Sequence, residues 1–484
     1  MIEEIKAIDY KKIFHFFEEI SYIPRGSRNN QAISDYLVAF AKERNLEYKR
    51  DEALNVIIIK EASKGCESMD SVILQGHMDM VCLKDAQSTH DFIKDALSLH
   101  VEGDFLRADN TTLGGDNGIA IAYALAILDS DDIVHPRLEV IITTDEEIGL
   151  LGADALDTSS LKAKYMINLD SEEESSILVG CAGGMTSSAT FKMEKEMVSG
   201  VEVKVCLMGL QGGHSGSDIN KNRTNSTILS ARMMTALMGY SYSLSYMESG
   251  EKDNAIPSLS KLTFVVKEED VQGFVNKMEE CKAIYQKELV TSEPDFTMVI
   301  SVGDKGEYAC ISKESLTKVL LFITYVPNGI QTWSAEMKGL VESSLNLGIC
   351  KVDLGQALFS YSVRSSVASY KSYLSGKIAF FTQFLGGTYK TEGEYPAWEY
   401  KHDSKLREIC VQIYEEEFHR KPIVETIHAG LECGIFSDRM PGLDIISIGP
   451  DMFDVHTPKE RLSISSTVRV FDYIVKVLGY LSKQ

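Results

Sequence analysis

Four apolar runs of strand length in this chain end on, or shortly before, an acid or a histidine. They are Val72-Ile-Leu-Gln-Gly-His-Met-Asp79, Ile141-Ile-Thr-Thr-Asp-Glu-Glu-Ile-Gly149, Met166-Ile-Asn-Leu-Asp170, and Ile445-Ile-Ser-Ile-Gly-Pro450 followed by Asp451-Met-Phe-Asp-Val-His456. Like charges gathered at a strand end are costly unless cations sit among them. Alternate side chains of a strand share a face, so His77 and Asp79 can act together. An imidazole whose second nitrogen is held by a carboxylate has a fixed tautomer and can bind a metal. Alone, His77-Met-Asp79 also reads as an ordinary surface strand end. The triple acid Asp145-Glu146-Glu147 points further: adjacent carboxylates can divide labour, one binding a cation and one accepting a proton.

Gly114-Gly115-Asp116-Asn117-Gly118 places one more acid in a glycine-rich turn before a helical stretch. Glycine permits close backbone approach, so Asp116 can be thrust into a site, although an Asp here also reads as a helix cap. A phosphate loop is excluded, because the acid repels phosphate and no Lys-Ser/Thr follows. His77, Asp116, Glu147, Asp170 and His456 then all lie at or just beyond strand C-termini, where open α/β sheets place their sites. Mixed imidazole and carboxylate donors suit zinc first, with manganese and cobalt as alternatives, and too few thiols lie nearby for a structural zinc site. Five ligands with one bridging carboxylate would hold two divalent ions ~3.5–4 Å apart.

At 484 residues the chain exceeds what one core fills, roughly 250–300 residues, so two domains are expected. Helical spacing over 10–21, 30–44 and 118–128 alternates with apolar strands at 55–60, 72–75, 138–143 and 165–168, which predicts an α/β sheet covered on both faces. After Gly183-Gly184 the pattern becomes β-β-α-β-β-α, with alternating strands such as Val201–Leu207 and Leu262–Val266. From about Tyr400 the α/β texture returns. The expected organisation is a discontinuous catalytic domain, 1–185 and 399–484, with an inserted α+β lid over 186–398. The net charge of −22 argues against nucleic acid or anionic membrane as partners. Nine scattered cysteines without a C-x-x-C pair, an acidic N-terminus and no long apolar window predict a cytoplasmic, unprocessed protein with free thiols.

The ordered set His77-Met-Asp79, Gly115-Asp116-Asn117, Asp145-Glu-Glu147, Asp170 and His456 resembles the co-catalytic zinc exopeptidases related to glutamate carboxypeptidase and aminoacylase. Within these the chain looks most like the aminoacyl-histidine (Xaa-His) dipeptidases, or bacterial carnosinases. The finer match rests on Gln75-Gly-His-Met-Asp-Met80, Thr112-Leu-Gly-Gly-Asp-Asn-Gly118, Gly212-Gly-His-Ser-Gly216, Asn254-Ala-Ile-Pro257, Val363-Arg-Ser-Ser366 and His428-Ala-Gly-Leu-Glu-Cys-Gly434. It implies a phosphorylase/hydrolase-like α/β/α sandwich with the inserted lid, and hydrolysis of Xaa-His and other short unblocked dipeptides by a metal-bridging water. By resemblance, Asp116 bridges both metals, His77 and Asp170 complete one, and Glu147 and His456 the other. Asp79 orients His77, and Glu146 is the general base. The residues alone support the ligand types and the Glu pair but do not say which Glu does which job.

In the inserted region His214, on a glycine-rich turn, can donate a hydrogen bond to an oxyanion, in dimeric relatives often in the partner subunit's site. Arg364, at the end of an alternating strand, can clasp a substrate carboxylate or form a surface ion pair. Asn254 and Gly430 are substrate contacts by resemblance, which is also compatible with a homodimer. Ser249-Gly-Glu-Lys-Asp253 and Ser258 depart from the family pattern and put specificity, not chemistry, in question. Alternatives are an aminotripeptidase, an N-acyl-amino-acid deacylase, or a non-catalytic peptide-binding protein on the same scaffold. The remaining histidines, His15, His90, His100, His135, His402 and His419, are expected to be solvent-exposed.

Overall fold

The structure, a computed structural model, describes residues 3–483. The chain forms two compact units: Met1–Cys181 with Tyr400–Thr426 and Leu431–Gln484, and Ala182–Glu399 with Ile427–Gly430. The short Ile427–Gly430 stretch belongs with the second unit although it lies far beyond the boundary read near residue 399.

The first unit is built on an eight-stranded sheet in the order Glu47–Arg50, Val56–Lys60, Leu138–Thr143, Val72–His77, Tyr165–Asn168, Asp444–Ser447, Ser176–Cys181, Ile423–Ile427. Its four central strands are parallel, in register Val72↔Leu138, Val72↔Tyr165 and Asp444↔Tyr165. Parallel strands end at the same edge. Register therefore brings His77 level with Thr143, Gln75 with Asn168, and Ser447 with Asn168, so all four chemistry-bearing loops leave from one side. These strands are fully buried runs of Val, Ile and Leu, as sheets covered on both faces require.

The helix Gly115–Asp129 is apolar on every side, and Ile119, Ile121, Leu125 and Ile127 are wholly buried. A helix hydrophobic all round must lie inside a core. This one packs between the strand Val72–His77 and the helix Ile13–Ser21, which fixes the turn at its N-terminus against the end of that strand. A small sheet joins Phe105–Ala108 to Arg461–Ser463, which pairs in turn with Met452–Phe453. Through it the loop carrying His456 is tied to the segment just before Asp116.

The second unit holds a nine-stranded sheet, antiparallel in each of its pairings, with the helices Ser226–Ala236, Val271–Glu288, Lys313–Tyr325 and Ala368–Phe384. Its core includes Phe191, Leu244, Phe264, Phe274, Phe322 and Phe359. The strand expected at Val201–Leu207 runs from Lys195 to Met208, paired along its length with Thr297–Ile311. The helix Lys313–Tyr325 was not expected; Ser312 caps it by accepting the Ser315 N–H.

Among the described residues no helix is long and apolar enough to cross a membrane, and none of the nine cysteines is disulfide-bonded. The exposure expected of six histidines holds for His402 and His419, while His15, His90 and His100 are half-buried and His135 is buried, 2% exposed, with Nδ1 2.8 Å from the Pro136 carbonyl oxygen.

Candidate metal centre

His77 closes its strand, and its two ring nitrogens face different partners. Nδ1 lies 3.1 Å from the Asp79 carbonyl oxygen and 3.3 Å from Asp79 Oδ1. Both are acceptors, so Nδ1 carries a proton, which leaves Nε2 as the nitrogen able to bind a cation once it is deprotonated. Nε2 faces Asp116 Oδ1 at 3.0 Å and Asp170 Oδ1 at 3.4 Å. Asp79 is itself held by the Ser27 hydroxyl at 2.8 Å and the Glu146 N–H at 3.0 Å. The residue that orients His77 thereby also positions the acidic turn.

Asp116 is not a helix cap. Gly114 occupies the cap position without a side-chain bond, and Asp116 has non-helical dihedrals. Its second oxygen, Oδ2, lies 3.2 Å from His456 Nε2, which also faces Glu147 Oε1 at 2.9 Å. One carboxylate thus offers one oxygen to each of two imidazoles. The resulting groups, His77–Asp116–Asp170 and Asp116–Glu147–His456, share Asp116, and within each the ligand atoms lie within 4.8 Å of one another. His77, Glu146 and Glu147 form a third such group. Asp145 and His456, each with φ in the left-handed region, hold strained backbone where the loops turn into the site.

The electrostatics show what this arrangement lacks. Hydrogen bonds to Asp116 and Glu147 push His456 up to about 11. His77 is also raised, its burial outweighed by Asp170 and Asp116. Burial drives Asp170 up to about 7, with Asp116 and Glu147 adding to it, and raises Glu146 well above the carboxylate range with Asp170, Glu432 and Glu147 near. Imidazole nitrogens and carboxylate oxygens facing one another at 2.9–3.4 Å demand positive charge between them. Protons can supply it, and so can divalent cations. The mixed imidazole and carboxylate donor set fits the latter.

Sequence reasoning passed over Glu432. It is fully buried, accepts from the Thr143 hydroxyl at 2.7 Å and from the Gln75 amide, and burial pushes its carboxyl up to about 7. It stands inside the His428–Gly434 stretch, so attention to a buried acid rather than to Gly430 would have found it.

The second unit carries a separate polar cluster. His214 Nδ1 accepts the N–H groups of Gly216 at 3.3 Å and Ser217 at 3.2 Å, which places the ring proton on Nε2. Arg364 Nη2 lies 3.4 Å from that Nε2, and Nη1 donates to the Tyr395 hydroxyl at 2.8 Å. Two donors therefore converge. Burial, reinforced by Arg364, lowers the pKa of His214 and takes His428 down to about 3. His428 Nε2 lies 2.7 Å from Ser344 Oγ. Gly430 stands so close to the Tyr395 ring that a Cβ would meet it at 2.7 Å. Asn254 is exposed, and its carbonyl accepts the Ser215 N–H at 2.8 Å.

Residues 73–480 match the model of peptidase family M20/M25/M40. The chain belongs to this family. It is a metallopeptidase-family hydrolase acting on peptide bonds, with an α/β catalytic fold. The chain is 33% identical over 483 residues to the cytosol non-specific dipeptidase of Escherichia coli (strain K12), an alignment covering 99% of both chains. It superposes on the crystal structure of aminoacylhistidine dipeptidase from Vibrio alginolyticus with a TM-score of 0.91 and 31% identity, covering 99% of this chain and 98% of that one. Aminopeptidase PepT from Bacillus cereus ATCC 10987, at 14% identity and a TM-score of 0.55 over 98% of this chain and 100% of that one, shares the fold alone.

Proposed function

We propose that the chain is a two-metal dipeptidase that hydrolyses short unblocked dipeptides, Xaa-His among them. The observation that carries this reading is the placement of Asp116 between His77 and His456, with Glu146 beside them, in a chain alignable end to end with dipeptidases. Two divalent cations, zinc first by donor type, would be held by His77, Asp116 and Asp170 and by Asp116, Glu147 and His456; when bound they supply Lewis acidity for a carbonyl and acidify water.

The chain's own groups do the rest. Asp79 keeps the proton on His77 Nδ1. Glu146, a carboxylate with raised proton affinity, takes the proton of the attacking water and returns it to the leaving amine. Arg364 and the Nε2–H of His214 are the donors of this reading for substrate oxygens, the first for a terminal carboxylate and the second for the oxyanion of the tetrahedral stage. Asn254 and Gly430 contribute further substrate contacts. A cytoplasmic location belongs to the same reading, supported by a named cytosolic relative and cysteines without disulfides.

The test is hydrolysis of β-alanyl-histidine, α-dipeptides and their N-acetylated forms by wild type and Glu146→Ala, with zinc, manganese or chelator. Metal-dependent cleavage of unblocked dipeptides only is expected. In Glu146→Ala kcat is expected to fall by about 10²–10⁴-fold at unchanged metal content. A fully metallated wild type that turns over no dipeptide would end the proposal; cleavage of acylated amino acids instead would make it a deacylase.

A further inference from the structure

The segment Arg25–Asn30, upstream of the residues matched by the family model, reaches three loops of the metal centre. It lies in the break between the helices Ile13–Ser21 and Gln31–Glu43. Arg25 is only 1% exposed. Its Nη1 donates to the carbonyls of Met78 at 3.1 Å and Asp79 at 3.4 Å, and Nη2 donates to the carbonyl of Gly114 at 2.5 Å. The Met80 N–H returns a bond to the Arg25 carbonyl at 3.1 Å. Two positions on, the Ser27 hydroxyl holds Asp79. The Arg28 N–H and the Asn30 amide both donate to Asp145 Oδ1, at 2.5 and 2.6 Å.

The glycines of the Asp116 turn are shaped around this guanidinium. A Cβ on Gly114 would lie 2.6 Å from Arg25 Nη2, and one on Gly118 2.5 Å from the same atom. The same turn is gripped by Glu460, whose carboxylate accepts the N–H groups of Leu113 at 2.8 Å, Gly114 at 3.1 Å and Gly115 at 2.8 Å. One carbonyl of the turn, that of Gly114, thus goes to a buried cation, and its N–H groups go to a buried carboxylate.

We propose that Arg25 is a positioning residue of the metal centre, its guanidinium fixing the spacing between the His77–Asp79 loop and the Asp116 turn. A planar fork with donors in fixed directions can hold two loops at once, which a point charge cannot. A buried guanidinium is an expensive filler, and an apolar side chain would occupy the space more cheaply. Its retention is explained by the geometry it imposes. The inference rests on the two-metal reading above.

The test compares wild type, Arg25→Lys and Arg25→Ala. Zinc affinity of the metal-free protein is measured by competition with a chromophoric chelator, kcat and KM are measured on one dipeptide, and circular dichroism reports folding. Zinc affinity is expected to fall by about 10–100-fold in both variants, with kcat falling and KM little changed. Lysine is not expected to rescue, because one ammonium cannot span both loops. Folded variants with wild-type zinc affinity and kcat would overturn the inference while leaving the two-metal reading intact. Should Arg25→Ala fail to fold, Arg25→Lys decides. A wild type that takes up no divalent ion would overturn both.

Discussion

Each unit of this molecule carries a cluster of polar side chains described above, and the two are electrostatic opposites. In the first, imidazole nitrogens face carboxylate oxygens: His77 meets Asp116 and Asp170, and His456 meets Asp116 and Glu147. Positive charge is missing there, and the imidazoles are driven to hold protons. In the second, Arg364 and the Nε2–H of His214 point at one another, and both His214 and His428 are driven to lose protons. Negative charge is missing there. Under the proposed function this imbalance matches what each cluster would receive: cations in the first, substrate oxygens in the second.

Three experiments would break or sharpen this division. The largest effect is expected for His214→Ala, which removes a donor to developing negative charge and should lower kcat by about 10²–10³-fold with metal content unchanged. Elemental analysis of the same preparation decides the matter, since loss of metal would mean that the two clusters are not independent. Next comes Asp79→Asn, which keeps the size of the side chain but removes the charge that holds His77 Nδ1–H. Metal affinity or activity is expected to drop by about 10–100-fold; an unchanged titration with zinc would show that the backbone carbonyl of Asp79 suffices.

The smallest effect is a titration. Arg364 disfavours the charged imidazole, so its positive charge lowers the folded-state pKa of His214 and His428 beyond what burial does. Removing that charge in Arg364→Met favours the protonated ring. Both histidines are expected to titrate at higher pH than in wild type, followed by their ring proton resonances. Unmoved resonances would assign the depression to burial alone.

Much of the catalytic unit could be read from residues in sequence, for a physical reason. Fully buried parallel strands must be continuous apolar runs, and a polar residue ending such a run has few other places to be than the sheet edge. This is why His77, Glu147, Asp170 and His456 were identifiable as a group. Helical spacing likewise exposed the elements now seen at Ile13–Ser21, Gln31–Glu43 and Gly115–Asp129. The helix Lys313–Tyr325 escaped, because its apolar run Val-Leu-Leu-Phe-Ile-Thr-Tyr reads equally as a strand when neighbours are unknown. His135 looked like a loop residue and is buried, since nothing local announces which loops are covered.

The sequence by itself pointed to the kinds of donor, to the strand ends that carry His77, Glu147 and Asp170, and to an inserted second unit, while Asp116 stands in the first turn of the helix Gly115–Asp129 rather than at a strand end. These follow from periodicity and charge, which are local. Only the tertiary structure decided that Asp116 divides its two oxygens between His77 and His456, that the proton of His214 sits on Nε2 facing Arg364, and that Arg25 and Glu460 grip the turn before Asp116. The first and last of those facts depend on atoms brought together from distant parts of the chain by the register of parallel strands and the packing of the helix Gly115–Asp129, and the approach of Arg364 to His214 on the folding of the second unit; no local window of sequence contains these partners.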